Sequence, residues 1–422
     1  MNSAPTTAVS PAAAIWMSGL GAAQRAHDLE QVAKRIAFAY DRRAPDARTT
    51  YAVRTATTDP QHAAERLPVP RCTILCSDAR GTRPLLDLYG IATAQILIGD
   101  RAARSQLSQL GFALRAVAGL SSKARRTKAD QKAKMPAERL QLWYARAWIV
   151  VMVLGVLALL GLLATSVVAV HMPKGLRFVE APIALIAGLG IWRSAFVKQI
   201  GAAALIGYSV VDYLDRGEDR GSELRGQLVA LLEQLAQRER PYEQIDVLAY
   251  SFGSIGAIDA LFPFVQSPPP RLATIDRLVT IACPLDFVRS YWPDYFTKRF
   301  SIPGRPAQWV NFYAPSDVLA SNFQDATSGI VEPTAAGAAG AAISGREQPR
   351  VAPDPLNIAY LIDGRDEPVS RLSESLRLKG LRFHGQYWSS RVASEESVFD
   401  QVIEHLGSAG TPPQDAAGSS AR

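Results

Sequence analysis

One stretch of the chain predicts a strand, a tight turn and a helix in immediate succession. Residues 245–249 are mostly apolar or β-forming, residues 252–261 suit a helix, and Ser251 lies between them in the sequence Ala-Tyr-Ser-Phe-Gly. A serine at such an apex needs small residues two positions to either side, because strand and helix approach each other closely around a strained backbone. Ala249 and Gly253 meet this requirement. The stretch therefore fits the pattern G-x-S-x-G with alanine as the first small residue, although an alanine-rich chain can also produce it by chance.

A serine hydroxyl at such a turn becomes a nucleophile only when a base takes its proton, and the base needs an acid to orient it. In chains with this turn the order is serine, then aspartate or glutamate, then histidine. Two of the five histidines follow Ser251. His405 lies in residues 397–406, whose apolar side chains have helical spacing, and is predicted to be an ordinary residue of a terminal helix. His384 follows a short strand-like run that breaks at Gly385, and it is the predicted base.

Two aspartates compete for the role of the acid. Asp317 follows the alternating apolar run 309–314 and a Pro-Ser turn, which places it just past the carboxyl end of a predicted strand. Open α/β sheets keep their sites at that end of the strands. Asp286 follows the apolar run 278–285, one predicted strand earlier. Either could be an ordinary turn residue, and we predict Asp317 as the acid.

These residues resemble the α/β-hydrolase superfamily, in particular its lipase and esterase branch. The resemblance implies an α/β-hydrolase fold, with a mainly parallel sheet flanked by helices. It also implies a serine hydrolase in which Ser251 attacks an acyl carbonyl, His384 is the base and Asp317 orients that base. The resemblance covers residues 12–40 and 205–405 and includes AYSFG at 249–253, PSD at 315–317 and HGQYW at 384–388.

The beginning of the chain agrees with this resemblance. Residues 12–24 look like the first core strand and the following loop, where the superfamily often has His-Gly-x-Gly, and Ser18 stands in place of that histidine. The resemblance implies an oxyanion hole made by the backbone N–H of Phe252 and by one from the Gly19-Leu20-Gly21 loop, for which we take Leu20. Such donors stabilise the negative charge that develops on the former carbonyl oxygen.

A dinucleotide-binding loop is the competing interpretation of the same residues. Gly19-x-Gly21 after a predicted strand, with Asp41 at the end of the run 36–41, partly matches the fingerprint G-x-G-x-x-G. Gln24 occupies the position of the third glycine, where a bulky side chain would crowd the packing of helix against strand. We therefore predict no cofactor, and the sequence shows no metal-ligand cluster.

Residues 13–100 alternate strand-like and helix-like runs, as a parallel sheet with intervening helices requires. A helix-like run covers residues 23–36, and the stronger apolar pieces are 15–17, 34–40, 72–76 and 91–98. The three cysteines, Cys72, Cys76 and Cys283, suggest no disulfide framework. Cys72 and Cys76 share one apolar run and are predicted to be core residues.

A long uncharged segment interrupts this pattern. Residues 148–170 contain 23 residues without a charge, enough for about 34 Å of helix, which spans a bilayer core. Residues 181–192 add 12 uncharged residues and extend to Val197 if Arg193 snorkels outward. One sheet built from both sides of this insert requires two crossings or none, so we predict a transmembrane hairpin over 148–199. A buried core helix and a re-entrant second segment are the alternatives.

Charge predicts the orientation of this hairpin. Residues 121–147 hold eight basic and two acidic residues, a net charge of +6 out of +7 for the whole chain. Because positive flanks stay on the cytoplasmic side, the hydrolase domain is predicted to face the cytoplasm from the inner membrane. Residues 1–11 lack the basic region of a secretory signal peptide. The basic charge lies beside a predicted span, so its expected partners are membrane lipids rather than nucleic acid.

The second half of the chain supplies the remaining elements. Residues 221–238 predict an amphipathic helix with an apolar face of Leu224, Leu228, Leu231, Leu232 and Leu235. An aromatic cluster either packs on the core or lines an acyl pocket: Trp292, Tyr295, Phe296 and Phe300. Residues 324–356 are rich in Ala, Gly and Pro and predict a flexible insertion, with a lid as the alternative.

The predicted domain order is a disordered N-terminus (1–11), a first hydrolase part (12–120), a basic juxtamembrane segment (121–147), the hairpin (148–199), a second hydrolase part (200–406) and a disordered tail (407–422). The expected activity is hydrolysis of an ester through an acyl-enzyme on Ser251, with lipid-derived esters as the suggested substrate class. The alternative from another class is an inactive hydrolase-shaped membrane scaffold that binds a protein partner, because fold alone does not guarantee activity. A lipid transporter is disfavoured, since two short spans offer no substrate pathway.

Overall fold

The structure is a computed structural model, and it describes residues 12–20, 25–57, 69–91, 93–98, 115, 206–215, 217–238, 240–263, 268–292, 295, 306–317, 319–321, 355–362, 383–387 and 396–406. The chain divides into two compact units. The first comprises Met1–Ala94, Gly221–Leu285 and Phe296–Arg422, and the second comprises Gln95–Arg220 and Asp286–Tyr295.

The first unit contains one sheet of eight strands. Its strands are β1 (Ala12–Met17), β2 (Thr50–Thr57), β3 (Pro70–Asp78), β4 (Gly81–Ile91), β5 (Ile245–Tyr250), β6 (Arg277–Ile281), β7 (Gln308–Tyr313) and β8 (Leu356–Ala359). They lie in the order β2-β3-β4-β1-β5-β6-β7-β8. The pairings β4–β1, β1–β5, β5–β6, β6–β7 and β7–β8 are parallel. The pairings of β3 with β2 and with β4 are antiparallel.

Helices flank the sheet, and the mostly parallel α/β architecture predicted from the sequence is confirmed at that level. The helices in the described part of the chain are α1 (Arg25–Arg42), α2 (Thr93–Ile98), α3 (Gly217–Ala236), α4 (Phe252–Leu261), α5 (Leu285–Tyr291) and α6 (Phe399–Val402). Of these, α5 after Leu285 and most of α2 belong to the second unit. Residues 206–215 are also helical, and a 3-10 turn covers Pro270–Thr274.

Two neighbouring residues of β1 show that the sheet is covered on both faces. The indole Nε1 of Trp16 donates a hydrogen bond to Asp28 of α1, and its ring lies against Phe399 of α6. The side chain of Met17 lies beside Gly256 of α4. Since successive strand residues point to opposite faces, α1 and α6 cover one face and α4 the other. This explains why every residue of β1 is apolar and buried.

The carboxyl ends of the parallel strands meet at one edge of the sheet. Met17 is level with Ile91 of β4 and with Ala249 of β5. Ile281 of β6 is level with Tyr250 and with Phe312 of β7. The loops after β1, β5, β6, β7 and β8 therefore begin at this carboxyl edge.

The helix predicted over residues 221–238 is confirmed as the main part of α3. Its five predicted apolar residues are all buried: Leu224, Leu228, Leu231, Leu232 and Leu235.

The three cysteines are buried. Cys72 and Cys76 lie on β3, as predicted for core residues, and Cys283 lies after β6.

The elements of the first hundred residues differ from the sequence pattern in two places. The helix predicted over residues 23–36 continues through the apolar piece 34–40 as α1, where Leu29, Val32, Ala33 and Ile36 form one buried stripe at helical spacing. The piece 91–98 is not one element: Ile91 ends β4, and α2 begins at Thr93.

In the second unit, the described aromatic side chains pack with one another. Trp292 donates from its Nε1 to the carboxylate of Asp215 at 2.8 Å, and its ring lies 6.1 Å from that of Tyr291. Trp292 and Tyr295, two members of the predicted aromatic cluster, are buried. Phe296 and Phe300 lie outside the described residues.

The membrane prediction falls on residues that the structure does not describe. Residues 1–11, the basic segment 121–147, the hairpin 148–199, residues 324–354 of the flexible insertion and the tail 407–422 all lie outside the described part of the chain. Among the residues that are described, no helix has the length and apolar character needed to cross a bilayer.

Candidate active site

Ser251 lies in the turn between β5 and α4 with an unusual backbone conformation. Its φ is 53° and its ψ is −129°, a combination that a residue with a Cβ adopts only at a cost on the order of 1–3 kcal/mol. The turn is held by its own N–H, which donates to the carbonyl of Ile281 on β6 at 2.8 Å. The strained strand–serine–helix turn predicted from the sequence is therefore present.

Glycine is required beside this turn because two backbone segments meet there. A Cβ added to Gly253 would lie 2.3 Å from the carbonyl oxygen of Met17 and 2.5 Å from that of Ser18. A Cβ at Gly19 would lie 3.1 Å from the Cβ of Ser251. The loop after β1 thus runs directly alongside the serine. A small residue is needed at position 253, as predicted, but the backbone that approaches it belongs to the end of β1 and its loop and not to β5.

Three side chains predicted to act together form a hydrogen-bonded chain. The Oγ of Ser251 lies 2.7 Å from the Nε2 of His384, and the Nδ1 of His384 lies 2.8 Å from the Oδ2 of Asp317. A carboxylate only accepts hydrogen bonds, so Nδ1 carries the imidazole proton in this arrangement. With the proton on Nδ1, Nε2 is the nitrogen that can accept from the serine hydroxyl, as nucleophilic catalysis by serine requires.

Asp317 is held in a turn just past β7, at the carboxyl edge where the sequence predicted it. Its N–H donates to the carbonyl of Ala314, and its Oδ1 accepts from the N–H of Leu319 at 2.9 Å. The side chain has no solvent exposure. A second donor on Oδ2 is the hydroxyl of Tyr387, at 3.0 Å. The Asp317 carboxylate is thus buried and accepts three hydrogen bonds, from Leu319, Tyr387 and His384.

His384 is fixed through its backbone as well as its ring. The hydroxyl of Tyr250, the residue before the serine, donates to the carbonyl of His384 at 2.6 Å. The Tyr250 and His384 rings stack with 6.0 Å between centroids and 20° between planes. The turn at His384 is therefore attached to the end of β5, which carries Ser251.

The rival residues are not part of this chain of hydrogen bonds. His405 follows α6, its ring packs edge-on against Phe312, and its carbonyl accepts from Arg277. Burial lowers the pKa of His405. Asp286 lies in the first turn of α5, whereas Asp317 is the carboxylate that bonds to His384.

The predicted oxyanion donors occupy the two segments that border Ser251. Phe252 is the first residue of α4, and the N–H groups of the first turn of a helix point out of its N-terminus. Leu20 ends the described part of the loop after β1, next to Gly19. Their role as donors remains a prediction.

The dinucleotide alternative loses its structural basis. Its fingerprint needs Asp41 at the end of a strand, but residues 36–41 belong to α1, and the Asp41 carboxylate accepts from the N–H of Tyr51 on β2. Among the described residues, no group of three or more His, Cys, Asp or Glu is placed to hold a metal ion.

The tyrosines around the site were not found from the sequence. Tyr387 lies three residues after His384 in the HGQYW motif, and Tyr250 lies next to Ser251. A signal existed, since both adjoin predicted site residues. Their hydroxyl contacts depend on how the loop after β8 folds, which spacing alone does not define.

Comparisons with known proteins found no matching family model, no matching curated protein and no matching solved structure.

Proposed function

We propose that the chain is a serine hydrolase of α/β-hydrolase fold that cleaves an ester through an acyl-enzyme on Ser251. The observation that carries the proposal is the continuous chain from Ser251 Oγ through His384 to Asp317, at 2.7 Å and 2.8 Å. The strained φ of 53° at Ser251 supports it, because backbone strain of this kind clusters at functional sites.

In the first half-reaction the Ser251 oxygen attacks the acyl carbonyl carbon while its proton moves to Nε2 of His384. Asp317 holds the imidazole in position and stabilises the imidazolium that forms. When the tetrahedral intermediate collapses, the bond from carbon to the leaving oxygen breaks. The proton on His384 passes to that oxygen, and an alcohol departs.

In the second half-reaction water replaces the alcohol. His384 takes a proton from the water, the hydroxide attacks the acyl-enzyme, and Ser251 regains its proton as the acid leaves. In both steps the negative charge on the carbonyl oxygen faces the N–H groups of Phe252 and Leu20, and each such donor contributes about 3–4 kcal/mol of transition-state stabilisation in comparable sites.

The order of the strands in the sheet supports the proposed α/β-hydrolase fold. One feature differs, namely which strand precedes the loop beside the serine. In α/β-hydrolases the second oxyanion donor comes from the loop after the third strand. In this chain the loop that lies beside Ser251, and could supply this donor, is the loop after β1. It reaches the serine because β1 is the neighbour of β5 in the sheet. Position in the sheet, rather than order in the chain, determines which loop reaches the serine.

The uncharged run 148–170 and the basic segment 121–147 support attachment to a membrane, with the hydrolase domain on the cytoplasmic side. An enzyme held at a bilayer meets lipid-derived esters at high local concentration. We therefore propose an ester of lipid origin as the substrate class.

The test is covalent labelling of the full chain, in detergent-solubilised membranes, with a fluorophosphonate probe that reacts with activated serines. The wild type is expected to label and Ser251→Ala is not. Ser254→Ala is the matched control and should label like the wild type, since Ser254 lies one turn further along α4 and its hydroxyl bonds to the carbonyl of Ala249. A folded wild type that fails to label would reject the hydrolase and favour the inactive scaffold.

A further inference from the structure

We propose that Tyr387 is a positioning residue that sets the pH range in which His384 works as a base, by sharing the Asp317 oxygen to which His384 is bonded. This inference rests on the proposed hydrolase function, and it assigns a role to a side chain outside the Ser251–His384–Asp317 chain.

The direction of the hydrogen bonds at Tyr387 is fixed by its two neighbours. The N–H of Ala314 donates to the Tyr387 oxygen at 2.8 Å. The Tyr387 oxygen lies 3.0 Å from Oδ2 of Asp317. Because Ala314 uses a lone pair of the hydroxyl and a carboxylate can only accept, the hydroxyl proton must point at Asp317.

The same oxygen of Asp317 also accepts from Nδ1 of His384, at 2.8 Å. Every donor that bonds to a carboxylate draws charge from it and reduces its attraction for further protons. Tyr387 therefore weakens the hold of Asp317 on a protonated imidazole. The consequence is that His384 stays neutral, and able to accept the serine proton, at a lower pH than it would without Tyr387.

Tyr387 itself is held rigidly and remains a donor. Its carbonyl accepts from the N–H of Val398 at 3.1 Å, and its ring lies between those of Tyr250 and Tyr360, with centroid distances of 6.3 Å and 6.0 Å. Complete burial beside Asp317 raises the pKa of Tyr387 well above the ordinary tyrosine value. The hydroxyl thus keeps its proton throughout the range in which a histidine titrates.

Among the described residues, three further titratable groups near this cluster come from separate elements: Tyr250, Tyr360 and Asp28. Tyr360, just after β8, stacks on the ring of Tyr387. Tyr250, at the end of β5, bonds to the backbone carbonyl of His384. Burial raises the pKa of Tyr250, with smaller contributions from Asp317 and from Asp28 on α1. Tyr250 is therefore a matched control: the same side chain, hydrogen-bonded in the same site, but not to Asp317.

The experiment measures the rate of fluorophosphonate labelling of Ser251 against pH in the wild type, Tyr387→Phe and Tyr250→Phe. For Tyr387→Phe we expect the acidic limb of the profile to move to higher pH by about half a unit to one unit, the equivalent of one lost hydrogen bond. For Tyr250→Phe we expect lower rates at every pH and an unmoved limb. An unmoved limb in Tyr387→Phe, with only a uniform loss, would show a merely structural role and overturn the inference.

A second variant distinguishes the proposed effect on pH dependence from a loss of activity caused by poor folding of Tyr387→Phe. Fluorotyrosine placed at position 387 keeps the acceptor for Ala314 but donates more strongly, so the acidic limb should move to lower pH. A shift in the same direction as Tyr387→Phe would contradict the inference.

A direct titration separates this inference from the proposed function. The chain has five histidines, so the NMR signal of His384 can be identified by its loss in His384→Gln. We expect the His384 midpoint to rise in Tyr387→Phe. If the wild type fails to label but this midpoint rises, the hydrolase is rejected and the role of Tyr387 stands. If the midpoint does not move, the role of Tyr387 is rejected whether or not Ser251 labels.

Discussion

Asp317 and Asp87, both in the first unit, have side chains without solvent exposure. The two carboxylates differ in the kind of group to which they bond. Asp317, at the carboxyl edge of the sheet, bonds to His384, which can gain or lose a proton. Asp87, on β4, forms an ion pair with Arg71 at 2.6 Å, and a guanidinium is always charged. One carboxylate faces a partner of variable charge, and the other faces a fixed cation.

The Asp87 cluster lies toward the amino end of the strands. Asp87 is level with Ala13 of β1, which is level with Ile245 at the start of β5. Its carboxylate also accepts from the hydroxyl of Thr73, on the neighbouring strand β3, and from that of Tyr242. Arg238 donates to Tyr89, whose hydroxyl bonds to Tyr242.

The difference teaches what separates a structural network from a reactive one. Every proton at Asp87 belongs to a group that keeps it at neutral pH, so this network can only hold β3, β4 and the segment before β5 together. At Asp317 the partner imidazole reaches onward to a hydroxyl, which gives the proton a route to a reacting group. Equal burial therefore serves stability at Asp87 and, under the proposed function, chemistry at Asp317.

The largest expected effect is that of Asp317→Asn on activity. The amide would favour the wrong tautomer of His384, so turnover should fall about 10⁴-fold in a chain that still folds. Kinetics on Asp286→Asn provide the matched control, which should retain turnover. Equal losses in the two variants would mean that the acid has been assigned to the wrong residue.

The Asp87→Asn variant should show the reverse behaviour. It leaves the Arg71 guanidinium without its buried counter-charge, which should lower the free energy of unfolding by about 3 kcal/mol, with labelling of the folded fraction unchanged. Chemical denaturation measures the loss. Asp78→Asn is the control, because it breaks the more exposed pair with Arg83 on the same hairpin, and it should change the free energy of unfolding little. A loss as large as that of Asp87→Asn would contradict the special importance of the buried pair.

A smaller effect is expected from Tyr242→Phe. Its hydroxyl bonds to Asp87 and to Tyr89, so its removal should cost about 1–2 kcal/mol of stability. Because Tyr242 and Asp87 share a hydrogen bond, the double variant with Asp87→Asn should lose less than the sum of the single variants. Strict additivity in denaturation experiments would show that the cluster is not one network.

The smallest effect concerns the pH dependence of stability. Burial lowers the pKa of His405 in the folded chain, so below about pH 6.5 the unfolded chain binds this proton first and the free energy of unfolding falls. The ring is only half-buried, and water screens it, so we expect His405→Gln to remove a few tenths of a kcal/mol of that acid-side loss. Chemical denaturation at pH 7.5 and at pH 5 measures how far the free energy of unfolding falls in each protein. A larger fall in His405→Gln than in the wild type would contradict this prediction.

Local rules made the serine turn predictable. The strained backbone at Ser251 lies between a strand and a helix that follow one another directly in the chain, so a short stretch of sequence carries the signal. Asp317 and His384 were predictable from a strand end, a glycine break and the order of residues in a resembling family. These signals do not depend on which loops meet in space.

Three other elements, β4, β8 and α1, were harder to predict, for physical reasons that can be named. β4 contains Pro84, and its pairing with β3 shifts register between Ile74 and Leu75, so its alternation is interrupted. β8 has four residues, too few for a period to emerge. In α1, the consecutive apolar residues 36–39 imitate a strand, although Phe38 is exposed and only the helical stripe is buried.

The central position of β1 has a consequence for how the chain folds as it is made. β1 pairs on one side with β4 and on the other with β5, which begins at Ile245, more than two hundred residues after Met17. Until the ribosome has produced β5, the second edge of an entirely apolar strand has no partner, a state prone to wrong pairing and aggregation. The uncharged run 148–170 is synthesised within that interval. The half-built sheet is therefore most in need of protection during that interval, before β5 has been synthesised.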